Sequence, residues 1–324
     1  MSIYDSNPRI TETINQSESE DVNKIPYIDS KFKQQKVPAC KPFLTPLWAA
    51  TIYGVFALIS LLIGAIFMLS NQALLDLAVE YTDCNDSVCI KEVTIPMNVS
   101  GDVLFYYELE NYLQNHFAYS SSKSWDQLRG KSFSNIKTCK QPDVGPTNVP
   151  CGALPMSLFN DTFTLTNTSY TLDESNIAQS EFKKIFKSAK EQTDQNYNYW
   201  LRDNWSQIFP GDQNNEHFIN WIQISPLKTF RKLYGKISNA NFVTGDKFNV
   251  TIVNNYPIGE SEMKKFFILA TTNKVGGKNN FFGYYFIVLC VISFIISLVF
   301  FIVHFLNALP LYKSKKDHNP AIAI

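Results

Sequence analysis

Few side chains in this sequence are spaced to do catalytic chemistry. Of four histidines in 324 residues, His304 lies in an apolar run and His318 in the final tail, leaving His116 and His217 between them. Glu216 precedes His217, but one His beside a carboxylate more often decorates a surface than serves as a base. No nucleophile elbow (G-x-S-x-G), H-E-x-x-H, Walker loop or EF-hand loop is present. Gly276-Gly277-Lys278 has the composition of a phosphate loop without its spacing. No catalytic residue, metal or cofactor is expected. An ectoenzyme with acids dispersed along the chain is the remaining enzymatic reading. With 29 basic and 29 acidic residues the formal net charge is zero, which gives no argument for nucleic acid.

The middle of the chain is better suited to the covalent chemistry of the secretory pathway. Of six cysteines, Cys84, Cys89, Cys139 and Cys151 lie there, while Cys40 precedes one apolar run and Cys290 lies within another. Four cysteines allow three pairings. Cys84–Cys89 with Cys139–Cys151 is favoured, because each pair closes a short polar loop. Such loops are worth ~2 and ~3 kcal/mol on the chain-entropy model. A four-cysteine zinc site lacks paired C-x-x-C spacing and suits an oxidising compartment poorly. Asn-x-Ser/Thr triplets occur in the same region at Asn85, Asn98, Asn160, Asn167, Asn204 and Asn249. Another at Asn15 in the N-terminal tail shows that such triplets also arise by chance.

Two apolar runs position this middle segment. Residues 42–75 and 279–312 each contain no Asp, Glu, Lys or Arg. A bilayer core takes ~20 apolar residues as helix, because each backbone N–H and C=O must be satisfied within the segment. The expected organisation is a cytosolic tail (1–45), a first span (46–69), a lumenal or extracellular domain (70–281), a second span (282–309) and a cytosolic tail (310–324). Lys24, Lys31, Lys33, Lys36 and Lys41 precede the first span, whereas Asp76, Glu80 and Asp83 follow it. Lys313, Lys315 and Lys316 follow the second. The positive-inside rule therefore places both termini in the cytosol, although Lys264, Lys265, Lys274 and Lys278 weaken the contrast at the second span. No short charged leader opens the chain, so the first span is expected to stay as an anchor. Residues 1–30 are polar and expected to be disordered. The lysine- and proline-rich run that follows is expected to stay extended and to rest on anionic lipid or simply flank the span.

Each span carries a small-residue face. Ala50, Gly54, Ala57 and Gly64 step by helical intervals, as do Gly283, Cys290, Ser293, Ser297 and His304. Small residues let another helix approach closely, so these faces are candidate packing or partner surfaces. Between the spans, FNVTIVNN (248–255) alternates in the manner of a half-buried strand, with Asn249 and Thr251 outward. GDVLFYYELE, MSLFNDTFTL and KKFFILATT read as further strands. SEFKKIFKSAK and EHFINWIQ have helical spacing. The fold class expected is a two-span membrane protein with an antiparallel β-rich (α+β) ectodomain and helical insertions.

Several longer motifs occur in one order: FKQQKVPACKP, GDVLFYYELENYLQNH, DQLRG, PCGALPMSLFNDTF, FINWIQISPLKTFRKLYGKI, NNYPI and VGGKNNFFGYYFIVL. Together they resemble the cell-cycle-control protein 50 or ligand-effect-modulator family, the non-catalytic beta subunits of lipid-flipping (type IV) P-type ATPases. The resemblance runs from about Phe32 to the second span. It implies a glycosylated, disulfide-bonded β-sandwich ectodomain and a heterodimer with the catalytic subunit. Cys139 and Cys151 match the family's second disulfide, and Phe32, Gln34 and Gln35 fall in the run that would dock on the partner. By this resemblance the chain supports the partner's folding, its export from the endoplasmic reticulum and its transport cycle, in the endoplasmic reticulum, Golgi, endosomal or plasma membrane. It departs from the family in having only Cys84 and Cys89 in its first cysteine cluster, and FAYSSS where basic residues usually follow NYLQNH. It lacks the phosphorylation motif DKTGT, so the catalytic aspartate would belong to the partner. The other reading is a two-span surface glycoprotein acting as receptor or adhesion module.

Overall fold

The computed structural model describes residues 45–84, 86–131, 136–139, 147–188, 197–205, 210–258 and 262–309. The chain divides into two compact units, Met1–Tyr53 with Ile296–Ile324, and Gly54–Ile295. The tails expected to be disordered or to lie on lipid fall outside the described residues. Two long apolar helices, Pro46–Gln72 and Phe281–Ala308, contribute to both units. At ~1.5 Å per residue they are about 40 Å long, sufficient for a hydrocarbon core of ~30 Å. They carry no polar stripe because lipid, not water, faces them. The first helix ends three residues beyond the expected Leu69, where Asn71 joins the two helix ends. Its Nδ2 donates to the Asn279 carbonyl (2.5 Å) and its Oδ1 accepts from the Asn279 amide (3.5 Å). Asn279 Oδ1 in turn accepts from the Phe281 amide (2.8 Å), satisfying one of the free donors at the start of the second helix.

Between these helices, in chain order, lie β1 (Asp76–Glu80), β2 (Val88–Thr94), β3 (Val99–Glu110), β4 (Thr147–Asn148), β5 (Thr162–Thr166), β6 (Tyr197–Asn198), β7 (Phe230–Phe242), β8 (Lys247–Val253), β9 (Lys264–Ala270), β10 (Thr272–Asn273) and β11 (Gly276–Gly277). One antiparallel sheet has the order β1-β9-β3-β7 and a second the order β2-β8-β5. The short pairs β4/β6 (parallel) and β10/β11 (a hairpin before the second span) stand apart. Strand alternation decides what is inside. Val103, Phe105, Tyr107 and Leu109 of β3 are buried, as are Phe248, Val250 and Ile252 of β8. The two inner faces meet around Phe163, whose ring lies 5.1 Å from Phe105 and 4.9 Å from Tyr234, with Tyr81 edge-on at 5.7 Å. A ring packed this way contributes ~3–5 kcal/mol relative to alanine.

One strand expectation is corrected. MSLFNDTFTL was expected to be extended throughout, but the strand begins only at Thr162 and Ala153–Met156 forms a helical turn. Gly152 starts that turn at φ 112°, and a Cβ there would fall 2.1 Å from the Ser122 carbonyl oxygen. Only glycine allows this approach. The loop that follows places Phe159 flat against Tyr107 (3.9 Å between ring centres) and delivers Asp161 to the core.

Candidate functional site

The small faces of the spans are used within the chain. In the larger unit, Ala57, Ser60, Gly64, Gly283 and Ser293 are buried. A Cβ on Gly64 would lie 3.3 Å from the Gly283 carbonyl oxygen, and one on Gly283 would lie 2.5 Å from Met68 Sδ. The backbones therefore meet at these glycines, and Phe67 stacks on Phe286 one turn further on (5.9 Å). In the smaller unit Ser297 Oγ donates to the carbonyl of buried Ala50 (2.7 Å), and Tyr53 stacks on Phe300 (6.1 Å). Gly54 is half-buried. These faces, expected as packing or partner surfaces, are where the two spans meet within each unit. What stays exposed is the opposite, large-residue side, including Leu58, Leu62 and Ile66 on the first span and Val288, Val291 and Phe294 on the second.

The covalent sites are spread over the interspan domain. Disulfides join Cys84 to Cys89 and Cys139 to Cys151. The first ties the turn after β1 to β2. The second is held by Ser122 Oγ, which donates to the Cys139 carbonyl, and by Gln127 Oε1, which accepts from the Cys151 amide. Asn98 and Asn167 are exposed on turns, and Asn98 Oδ1 accepts from the amide and hydroxyl of Thr244. Asn249 is half-buried on β8 beside Thr251. Asn160 is half-buried, with its Oδ1 enclosed and unpartnered. Asn204 lies in the helix Trp200–Trp205. Asn85, Phe32, Gln34 and Gln35 fall outside the described residues.

A buried polar network beside the Asn160 triplet was not anticipated. Lys265 and Asp161 are both 0% exposed, with Nζ and Oδ2 2.8 Å apart. Lys265 Nζ also donates to Asn254 Oδ1 (2.5 Å) and the Tyr256 carbonyl (2.9 Å). Asp161 accepts further from Tyr81 Oη (3.0 Å) and the amides of Asn255 (2.7 Å) and Tyr256 (2.6 Å). Every polar atom of the pair is therefore matched, as a buried pair requires. Burial pushes the Lys265 ammonium below its ordinary pKa, and the Asp161 carboxylate pulls it part of the way back. Burial likewise raises the Tyr81 hydroxyl well above its usual range, reinforced by the Asp161 charge. With all its partners inside the protein, the network is a lock between the sheets rather than a reactive centre.

Among the described residues away from the spans, three large apolar side chains stay exposed on neighbouring segments. Phe117 is 84% exposed, Leu227 67% and Leu113 57%. Their loops are joined by Asn115 Nδ2 donating to the Pro226 carbonyl (2.7 Å) and by the Tyr112 amide on the Lys228 carbonyl (2.9 Å). Phe117 opens FAYSSS, the stretch where basic residues were expected from the resemblance. A large apolar residue left this exposed suits contact with another protein better than contact with water. Sequence reading missed it because Phe117 and Leu227 are distant in the chain.

Known proteins provide a second line of comparison. The model of the LEM3 (ligand-effect modulator 3) family / CDC50 family matches residues 68–309. "ALA-interacting subunit 3" of Arabidopsis thaliana is 33% identical over 299 residues, covering 85% of this chain and 85% of that protein. "Cell cycle control protein 50A" of Bos taurus is 28% identical over 324 residues, covering 85% and 88%. "Cell cycle control protein 50B" of Homo sapiens is 29% identical over 329 residues, covering 85% and 93%.

Proposed function

Because this chain belongs to the LEM3 (ligand-effect modulator 3) / CDC50 family, we propose that it is the non-catalytic accessory subunit of a lipid-flipping (type IV) P-type ATPase. The observation that carries this reading is the family match from the end of the first span through the interspan domain to the end of the second span, together with relatives whose names describe an interacting subunit. In this reading the complex is a heterodimer, both termini are cytosolic, and the domain between the spans is lumenal or extracellular, glycosylated and disulfide-bonded. The catalytic aspartate, nucleotide site and lipid path belong to the partner.

The partner meets three regions of this chain: the run containing Phe32, Gln34 and Gln35, the exposed large-residue faces of the spans, and the patch of Phe117, Leu113 and Leu227. The small residues Ala50, Gly54, Ala57, Gly64, Gly283, Ser293 and Ser297 act one step back, by fixing the span pair that the partner recognises. A rigid domain bound outside the membrane assists the pump only if it favours one conformation over another, since equal affinity shifts no population. Assembly then supports the partner's folding and export from the endoplasmic reticulum, and afterwards its transport cycle and membrane phospholipid asymmetry.

The test is purification of the tagged full chain in mild detergent with identification of what accompanies it. A stoichiometric P-type ATPase subunit is expected; a complex without one overturns the proposal. Replacing Phe32, Gln34 and Gln35 together by alanine is expected to lower lipid-stimulated ATP hydrolysis of the complex while the glycosylation pattern stays unchanged.

A further inference from the structure

The cavity where the spans enter the interspan domain has no role in the reading above. It measures about 330 Å³ and is bounded by Phe67, Ser70 and Asn71 at the end of the first span, by the β10/β11 hairpin, and by Lys278 and Phe282. Its depth in a bilayer follows from helix geometry. A helix of 27 residues, Pro46–Gln72, is ~40 Å long, against ~30 Å of hydrocarbon and ~40–45 Å including the headgroup layers. Centring the helix puts Phe67 at the hydrocarbon edge and Ser70 and Asn71 among the headgroups. The same centring of Phe281–Ala308 puts Phe282 ~19 Å from the midplane, among the headgroups, with Asn279 and Lys278 on their water-facing side.

The lining fits that level. Phe67 and Phe282, with ring centres 5.8 Å apart, form an apolar floor that runs from the hydrocarbon edge into the headgroup layer. On the water side are the Ser70 hydroxyl, the amides of Asn71 and Asn273, and the Lys278 ammonium. No Asp or Glu lines the cavity, and Lys278 has no partner among the described residues. Gly276 and Gly277 have open space where a Cβ would stand, so a ligand can come up against bare backbone. A single unpaired cation, hydrogen-bonding groups and exposed backbone above an aromatic floor select an anion attached to an apolar body. Cavities of roughly 300–1,000 Å³ hold small ligands, so the volume is adequate for a phosphate with part of its glycerol.

We propose that this cavity binds the phosphate of a bilayer phospholipid headgroup, with Lys278 as its charge partner and Phe67 and Phe282 beneath the glycerol. The proposal rests on the membrane placement of the spans alone and is independent of any ATPase.

It is tested with the full chain, purified without a partner and reconstituted in vesicles of phosphatidylcholine doped with phosphatidylglycerol. Retained phospholipid is counted by native mass spectrometry after mild detergent release. The wild type is expected to keep one phospholipid, and Lys278→Gln to lower its occupancy about tenfold, the loss of one charge-assisted hydrogen bond. Lys278→Arg should retain it. Gly277→Leu, which puts a bulky side chain among the residues that line the cavity and leaves the lysine in place, should abolish it. This variant keeps the test decisive should Lys278→Gln fail to fold. Equal retention by wild type and Gly277→Leu overturns the proposal. So does displacement of the lipid by inorganic phosphate at equal concentration, which would identify free phosphate as the ligand.

Discussion

Substituting Asp161 by Asn would remove one charge from the centre of the interspan domain with almost no change in shape. The Asn carbonyl still accepts from the amides of Asn255 and Tyr256, which approach one carboxylate oxygen at 2.7 and 2.6 Å. The new NH₂ group, however, faces the Lys265 ammonium and the Tyr81 hydroxyl, both of which need an acceptor. Breaking a buried pair from one side costs ~3–5 kcal/mol, a large share of the ~5–15 kcal/mol that holds a domain together. Lys265→Met, which strands the carboxylate, is expected to cost a similar amount. The double variant should cost clearly less than the two singles combined, since it strands neither charge. Denaturant unfolding of the purified chain in mild detergent, followed by the fluorescence of its five tryptophans, reads all three. The pH dependence has a definite sign. Burial lowers the Lys265 pKa in the folded state, so the unfolded chain binds more protons in the alkaline range and stability rises with pH there. Without Asp161 the folded-state pKa falls further, so the Asp161→Asn deficit should shrink as pH approaches the unfolded value of ~10.4. A deficit below ~1 kcal/mol, or full additivity in the double variant, refutes the account of the pair as a lock.

Other predictions concern separate elements. Cys139→Ser should destabilise the domain by ~3 kcal/mol and Cys84→Ser by ~2, measured as loss of the oxidised, glycosylated form. Oxidation of a Gly64→Cys/Ile287→Cys variant in membranes should join the spans, since a Gly64 Cβ would sit 3.3 Å from Ile287 Cγ1; no cross-link would mean that the spans do not meet there. Lys232, whose pKa burial lowers to about 8, should acylate with a midpoint near that pH rather than in the range of exposed lysines, as read by mass spectrometry across a pH series. Phe117→Glu should leave unfolding unchanged and weaken capture of the ATPase; unaltered capture would remove the patch from the interface.

The parts of the fold set by short-range pattern were legible in the sequence. The charge-free runs located both spans, and alternation at Phe248, Val250 and Ile252 located β8 with its correct inner face. The part that escaped depends on residues distant in the chain. Lys265 entered the sequence reading only as a basic residue flanking the second span, yet it shares the inward parity of Phe267 and Leu269 and points at Asp161, 104 residues away. Parity alone could have marked it as buried, but not supplied its partner. The helical turn before β5 escaped for a similar reason, because the constraint on Gly152 comes from Ser122. The small-residue faces followed from helical spacing. That the chain's own second span covers them, rather than another protein, follows from three-dimensional closure and not from spacing.

That closure has a consequence in time. Gly64 and Gly283 touch in the finished protein, but the ribosome makes them far apart. At ~5–20 residues per second, roughly ten to fifty seconds separate completion of the first helix at Gln72 from completion of the second at Ala308. Throughout that interval the first span stands alone in the bilayer, with Ala57, Ser60 and Gly64 open to any passing helix. The order of synthesis thus sets up a race between the chain's own late-arriving span and foreign ones, and folding of the domain between the spans determines how soon the second is brought into position beside the first.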